Sequence, residues 1–457
     1  MLKNIRPHLW PTVGLAVPVV LSQVGHVMVG FVDSVLVGRL GTVQLAAVSL
    51  GLNSITVIMI LGIGLSMGSV PLVAAADGRR DPADLARLLV SSVGLSLLAG
   101  LGLAGLGQLV PALLHYLGQL PAVEALAAPW VRIISWSFLP LMIFQGFREF
   151  AEGLGLTRQA MWLSLGGNLV NAALCYALVF GHAGAPALGM VGSAWATLAA
   201  RWLMAGLMAA YVLLSPRLRE VRTAIRSWWP DADTLRRLFD IGAPIGVQMA
   251  FEVGAFATAA IFIGWLGAVP LAAHQVAINL ASMTYMAASG IAAAATIRVG
   301  RLFGSGQLAE ARQAGFAAYV LGFGFMAAMG LLFIVSRHAA PLLYSHDPAV
   351  VAQAATLLLI AALFQVSDGL QVVGLGALRG LGDVKVPSVV ALLAYWAVAL
   401  PLSYWLGFGL HLGAPGVWTG LLAGLSIVAV VLLLRFRRET SPGFVMPQPE
   451  GDILVTH

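Results

Sequence analysis

The sequence predicts an all-α integral membrane protein: twelve transmembrane helices in two pseudo-symmetric six-helix lobes. Three observations carry that reading. Only 10% of the 457 residues are charged and mean hydropathy is +0.91, whereas soluble domains carry about 25% charged residues. The apolar runs are long and continuous, without the period-two alternation of a membrane barrel, so they read as helices. The second half also repeats the first at a fixed offset of 226 residues.

Taken in order, the spans are expected at 9–38, 46–76, 88–115, 122–150, 160–182, 189–214, 239–267, 270–300, 312–337, 346–378, 385–410 and 414–436. Several exceed the ~20 residues a crossing needs, so they tilt or project past the bilayer. In the first, Lys3 and Arg6 precede an apolar run that reaches Val37 without a small-residue cleavage site. It reads as a retained helix. Pro18 in the first span and Pro244 in the seventh are 226 apart, and at that offset VGRLGTVQLAA (37–47) meets IGWLGAVPLAA (263–273) with seven of eleven positions identical. GLGLTR (153–158) and GLGDVK (380–385) match at offset 227. Six spans per half return the chain to its starting side, so the repeats are parallel and related by an axis along the membrane normal. This divides the chain into a lobe at 1–214, a linker at 215–238, a lobe at 239–436 and a disordered tail at 437–457. The linker holds six arginines with Trp228 and Trp229 and reads as a connector whose charges fix topology.

Of the 25 Lys and Arg, 21 fall at the termini or in alternate loops. That is the positive-inside pattern, placing the basic loops and both termini in the cytoplasm. The pI near 9.8 therefore reflects topology and an anionic lipid surface, not nucleic-acid binding. The single cysteine, Cys175, excludes an internal disulfide and a Cys-based zinc site. Gly304-Ser305-Gly306 lacks the strand and Lys of a phosphate loop, and there is no nucleophile elbow, so no enzyme and no cofactor is expected.

Against this background Asp33, Glu252 and Asp368 stand out. A central Asp costs roughly 2.5–3.5 kcal/mol to insert, so such acids default to function. Glu252, eight residues past Pro244, and Asp368 lie in the same half. Two close carboxylates offer hard oxygens to a monovalent cation, and Na⁺ or one proton relieves their repulsion. Asp33 lies in the first half, where Asn168 and Asn171 share a face of the fifth span. The offset sets His26 opposite Glu252. Gln23, Gln248, Asn53, Gln275 and Asn279 read first as interhelical hydrogen-bonding groups.

PVVLSQVGHVMVGFVDSVLVGRLGTVQLAA (18–47), FEVGAF (251–256), LAAHQVAIN (271–279) and FQVSDGLQVVGLGALRGLGD (364–383) together resemble the multidrug and toxic compound extrusion (MATE) family, in its NorM-type bacterial branch. The resemblance implies a monomeric bacterial inner-membrane antiporter that exports hydrophobic cationic small molecules against inward Na⁺ or H⁺, with membrane lipids around it. It implies Na⁺ at Glu252 and Asp368 with Tyr285 nearby, and substrate or proton binding at Asp33, Asn168, Asn171 and Gln275. Residues 160–182 lack the carboxylate that some branches carry there, which moves weight to the second lobe. A lipid-linked oligosaccharide flippase is the competing reading. It needs a basic cavity, and the few arginines in span interiors, Arg132 and Arg201, sit against three acids.

Overall fold

In lipid, an apolar run satisfies its backbone by hydrogen-bonding within itself, and the chain accordingly forms long helices. The computed structural model describes residues 2–114, 116, 120–182 and 184–441; the side chains of residues 2–4, 26, 27, 29 and 31 lie outside that description, and with them the expectation for His26. The helices are α1 (Leu2–Gly38), α2 (Thr42–Arg79), α3 (Pro82–Leu114), α4 (Pro121–Gly153), α5 (Thr157–Phe180), α6 (Met190–Leu214), α7 (Ala232–Trp265), α8 (Ala268–Gly304), α9 (Leu308–Ser336), α10 (Pro348–Gly380), α11 (Lys385–Gly409) and α12 (Gly413–Glu439). Among the described residues, α2 to α12 are long and apolar enough to cross a membrane, and α1 completes the set of twelve.

Some boundaries move from those expected. α7 starts at Ala232, inside the segment read as linker, because Asp231 caps it: its carboxylate accepts from the Thr234 backbone N at 2.9 Å and from Thr234 Oγ1 at 2.6 Å. A short helix, Arg219–Thr223, also forms in the linker. At the other end α12 runs on to Glu439, so the first residues of the segment read as a tail are helical; residues 442–457 lie outside the description. α11 contains two π-helical turns, Ala394–Ala399 and Trp405–Gly409, where the backbone bonds i to i+5.

α1 packs on α5, α5 on α6, and α4 on α3 and α6; in the second half α10 packs on α8, α9 and α12. Each lobe buries a tryptophan whose N–H is satisfied. Trp130 donates to Ser193 Oγ at 3.0 Å and Trp418 to His274 Nδ1 at 3.2 Å.

The lobes meet through α1 on α8 and α2 on α7, two contacts that the repeat exchanges. Glycines set the approach. A Cβ on Gly64 would overlap the backbone of Gly246, its N at 2.6 Å, and one on Gly290 would meet Val20 and lie 3.0 Å from the Ala16 carbonyl. Since 64 + 226 = 290 and 20 + 226 = 246, the two contacts are copies of each other. Gly78 against Arg301 and Gly304 against Ala75 form a second exchanged pair. Such backbone-to-backbone packing is how small residues join membrane helices.

The same end of the molecule carries polar links between lobes. Arg301 of α8 pairs with Asp77 of α2 at 2.5 Å and donates to the Leu154 carbonyl at 2.8 Å. Arg298 reaches the His8 carbonyl and Thr12 of α1, and His8 in turn meets Glu310 of α9 at 3.0 Å. Ser289 donates to Gln23 at 2.6 Å. This closed end is the one bearing the basic loops.

Asn53 lies eleven residues before Gly64, and Asn279 eleven before Gly290. At 3.6 residues per turn that is about three turns, so each Asn shares a face with its contact glycine. Both are exposed, as is Gln275. On α2 and α8 the face that touches the other lobe at the contact glycine is thus exposed three turns away, at Asn53 and Asn279.

Candidate cation site

Glu252 projects from α7 eight residues past Pro244 and is held by three donors. Gln248 Nε2, one turn back on the same helix, reaches Oε2 at 3.1 Å; Gln371 Nε2 of α10 and the Tyr395 hydroxyl of α11 reach Oε1 at 3.2 and 3.0 Å. Gln371 and Tyr395 also bond each other, Nε2 to OH at 2.8 Å. A carboxylate offers about four lone-pair positions. Three are filled, and the vacancy is on Oε2.

Asp368 stands on α10 one turn before Gln371, is 4% exposed, and interacts electrostatically with Glu252. Among the described residues it accepts no hydrogen bond. Tyr285 of α8 interacts with both acids. The structure thus brings Glu252, Asp368 and Tyr285 together within one lobe. Repulsion between half-buried Glu252 and buried Asp368 disfavours this arrangement unless positive charge enters, and the free oxygens of Asp368 and the open Oε2 position can ligate a hard cation.

The first-lobe group is built differently. Asp33 is 7% exposed; Thr197 Oγ1 of α6 donates to Oδ2 at 3.3 Å and accepts from Asn171 Nδ2 at 3.1 Å. Cys175 and Arg201 adjoin the carboxylate, and Arg201 also bonds Ser137 Oγ at 2.6 Å. Among the described residues, Asp33 Oδ1, Asn171 Oδ1 and Asn168 Nδ2 are buried without a partner. Asn168 packs against Gly25 rather than bonding Asp33. Gln275 joins neither group; it sits exposed on α8.

Sequence reasoning missed Tyr395, Gln371 and Thr197 as site members and read Gln248 as an interhelical hydrogen-bonding group, which it is, accepting from Arg379 of α10 while also donating to Glu252. Gln248 was legible, one turn from Glu252. Tyr395 was not, because a π turn sets its register. Asp347, given no role from sequence, caps α10 by accepting from the Ala349 N at 2.9 Å. A cavity of about 450 Å³ beside Arg337, His338 and His346 lies near that cap, on helix ends that carry none of the three acids.

The MatE family pattern matches twice, at residues 18–177 and 244–405. Its two starting points, Pro18 and Pro244, are the repeat offset apart. The chain is 36% identical over 439 residues to the probable multidrug resistance protein NorM of Rhizobium meliloti (strain 1021), covering 94% of each. It is 37% identical over 451 residues to the multidrug resistance protein NorM of Burkholderia vietnamiensis, covering 97% of each. Among solved structures, a MATE crystallised in the bent conformation matches with TM-score 0.88 at 20% identity, over 96% of this chain and 97% of that one. An outward-facing multidrug resistance MATE family transporter of the MOP superfamily matches with TM-score 0.85 at 22% identity, over 94% and 95%. A MOP superfamily transporter from Pyrococcus furiosus, described as having a binding pocket of reverse polarity, matches with TM-score 0.84 at 21% identity, over 94% and 95%.

Proposed function

The chain belongs to the MatE family, and from that premise we propose that it exports hydrophobic organic cations by antiport with inward Na⁺, taken up at Glu252 and Asp368. The observation that carries this is a pair of carboxylates in one lobe: Glu252, half-buried with an open ligand position, and Asp368, buried with no donor among the described residues. Na⁺ is cargo in this reading, and Tyr285 and Tyr395 shape its pocket. Proton coupling would use the same two acids.

Arg201 is held by Ser137 and faces Asp33, so it is not free to form a basic pyrophosphate pocket, which supports organic cations over lipid-linked anions. The positive-inside rule sets the basic end in the cytoplasm. On that orientation the lobes are closed inward and diverge outward, and both termini are cytoplasmic. The two six-helix lobes then act as the moving bodies, with the segment between Leu214 and Ala232 as their tether. Asp33 with Thr197 and Asn171 offers a second cation-binding group in the first lobe.

The test is dye efflux from energised vesicles with and without a Na⁺ gradient. We expect efflux to require the gradient and to be lost in the Glu252→Gln/Asp368→Asn double variant. Efflux that survives the double variant removes the assigned site. Efflux driven by a pH gradient but indifferent to Na⁺ selects protons. Lipid flipping without dye transport selects the flippase.

A further inference from the structure

A half-buried cation beside the carboxylates has no part in that scheme. Arg379, in the last turn of α10, donates to Gln248 Oε1 at 3.0 Å, and Gln248 donates on to Glu252 at 3.1 Å. The guanidinium thus stops one side chain short of the carboxylate. It interacts electrostatically with Glu252 and Tyr285 of its own lobe, and with Glu149 of the other. Glu149 lies on α4 and is 5% exposed. Its neighbours Arg148 and Glu152 pair with each other at 2.7 Å.

The packing explains how two lobes share this charge. The Val70–Ala74 stretch of α2 is wedged between the ends of α4 and α10. A Cβ on Gly153, one turn after Glu149, would lie 2.8 Å from Val73 and 3.2 Å from the Val70 carbonyl. One on Gly300 would lie 3.1 Å from Ala74 Cβ and 3.3 Å from the carbonyl of Gly380, the residue after Arg379. Glu149 and Arg379 belong to opposite lobes, so the interaction between them depends on this packing.

We propose that Arg379 is a positioning residue that competes with the transported cation, and that Glu149 of the opposite lobe holds it off while the basic end is closed. With Glu149 in place, the guanidinium divides its attraction between acids of the two lobes, and Glu252 with Asp368 retain the negative charge to take a cation. When that end opens, Glu149 leaves with its lobe. The charge of Arg379 then falls on Glu252 and Asp368 alone and opposes a cation there. Affinity is high in the closed state and low in the open one, and by linkage a bound cation favours closure. The inference rests on the assignment of the cation to Glu252 and Asp368.

The experiment is equilibrium binding of radioactive Na⁺ to the full-length protein in lipid nanodiscs. Glu252→Gln is expected to abolish binding. Glu149→Gln is expected to weaken it by about fivefold or more, the range of ordinary coupling energies, while Glu149→Asp retains it. Adding Arg379→Gln to Glu149→Gln restores affinity, a rescue that a merely damaged fold does not give. Arg379→Gln alone tightens binding, so the inference stays testable if Glu149→Gln is not recovered folded. Binding lost in Glu252→Gln but unmoved by Glu149→Gln and Arg379→Gln overturns this inference and leaves the site standing. Binding that survives Glu252→Gln, or that is absent from the wild type, overturns the site itself.

Discussion

Gly64→Ala isolates the contact between lobes from the packing within them. The added Cβ overlaps the Gly246 backbone, with the Gly246 N at 2.6 Å, and backbone cannot rotate aside. The clash exists only while α2 and α7 touch, so it destabilises the closed arrangement and leaves each lobe intact. Overpacking of this kind costs about 1–3 kcal/mol, and 1.4 kcal/mol is about tenfold. The ratio of open to closed basic ends should therefore rise by about 5- to 150-fold. Its repeat partner gives an internal comparison. A Cβ on Gly290 meets the Val20 side chain first, which can turn away, so Gly290→Ala should shift the ratio less. Gly102, with nothing within 4 Å of an added Cβ, is the neutral control. The assay is a spin-label distance between Ala83→Cys and Gln307→Cys, exposed positions on opposite lobes at the basic end; Cys175 is buried and stays unlabelled. A longer-distance population should appear in Gly64→Ala. If a folded Gly64→Ala protein keeps the wild-type distance, glycine contacts do not hold this end shut.

Asp77→Asn should move the same distance readout less. The Asp77–Arg301 pair is partly exposed (side chains 30% and 44%), and such pairs contribute at most about 1 kcal/mol. The effect should fade in high salt, as a screened interaction does. Thr197→Val strands Asp33 Oδ2 and Asn171 Nδ2, and should cost about 1–3 kcal/mol in thermal unfolding in detergent; Thr419→Val, at an exposed hydroxyl bonded only within its own helix, should stay within about 0.5 kcal/mol. Asp231→Ala removes the α7 cap at a cost of about 1 kcal/mol. Bonds from the Thr234 hydroxyl and backbone hold the Asp231 carboxyl below its ordinary value. Its contribution is therefore complete at neutral pH and is lost only as pH falls through the lowered folded-state value, which a pH series of unfolding temperatures checks.

The fold was legible because its two determinants are one-dimensional. Apolar run length gives the helices, and a fixed offset gives the paired lobes. The repeat even contained the lobe contacts, since Gly64 and Gly290 occupy matching positions, but nothing in one strand of text says which helix a glycine faces. The acids announced themselves by their insertion cost. Their partners did not. Tyr395 and Gln371 read as ordinary residues of apolar helices until α7, α10 and α11 are assembled, and Thr197 is 164 residues from Asp33. Helix ends moved wherever a short-range cap such as Asp231 outweighed the change in composition.

The π turn at Ala394–Ala399 has a genetic consequence. Such a turn holds one residue more than an α-helix needs, so a single-codon deletion can be absorbed as ordinary α-helix without breaking the span. A deletion inside the turn would leave the helix on either side in register, whereas one elsewhere in α11 would rotate the stretch between it and the turn by about 100° about the helix axis. Tyr395 sits within that turn, so its grip on Glu252 hangs on one codon. The length of the gene here, and not only its spelling, sets which side chain meets the acid.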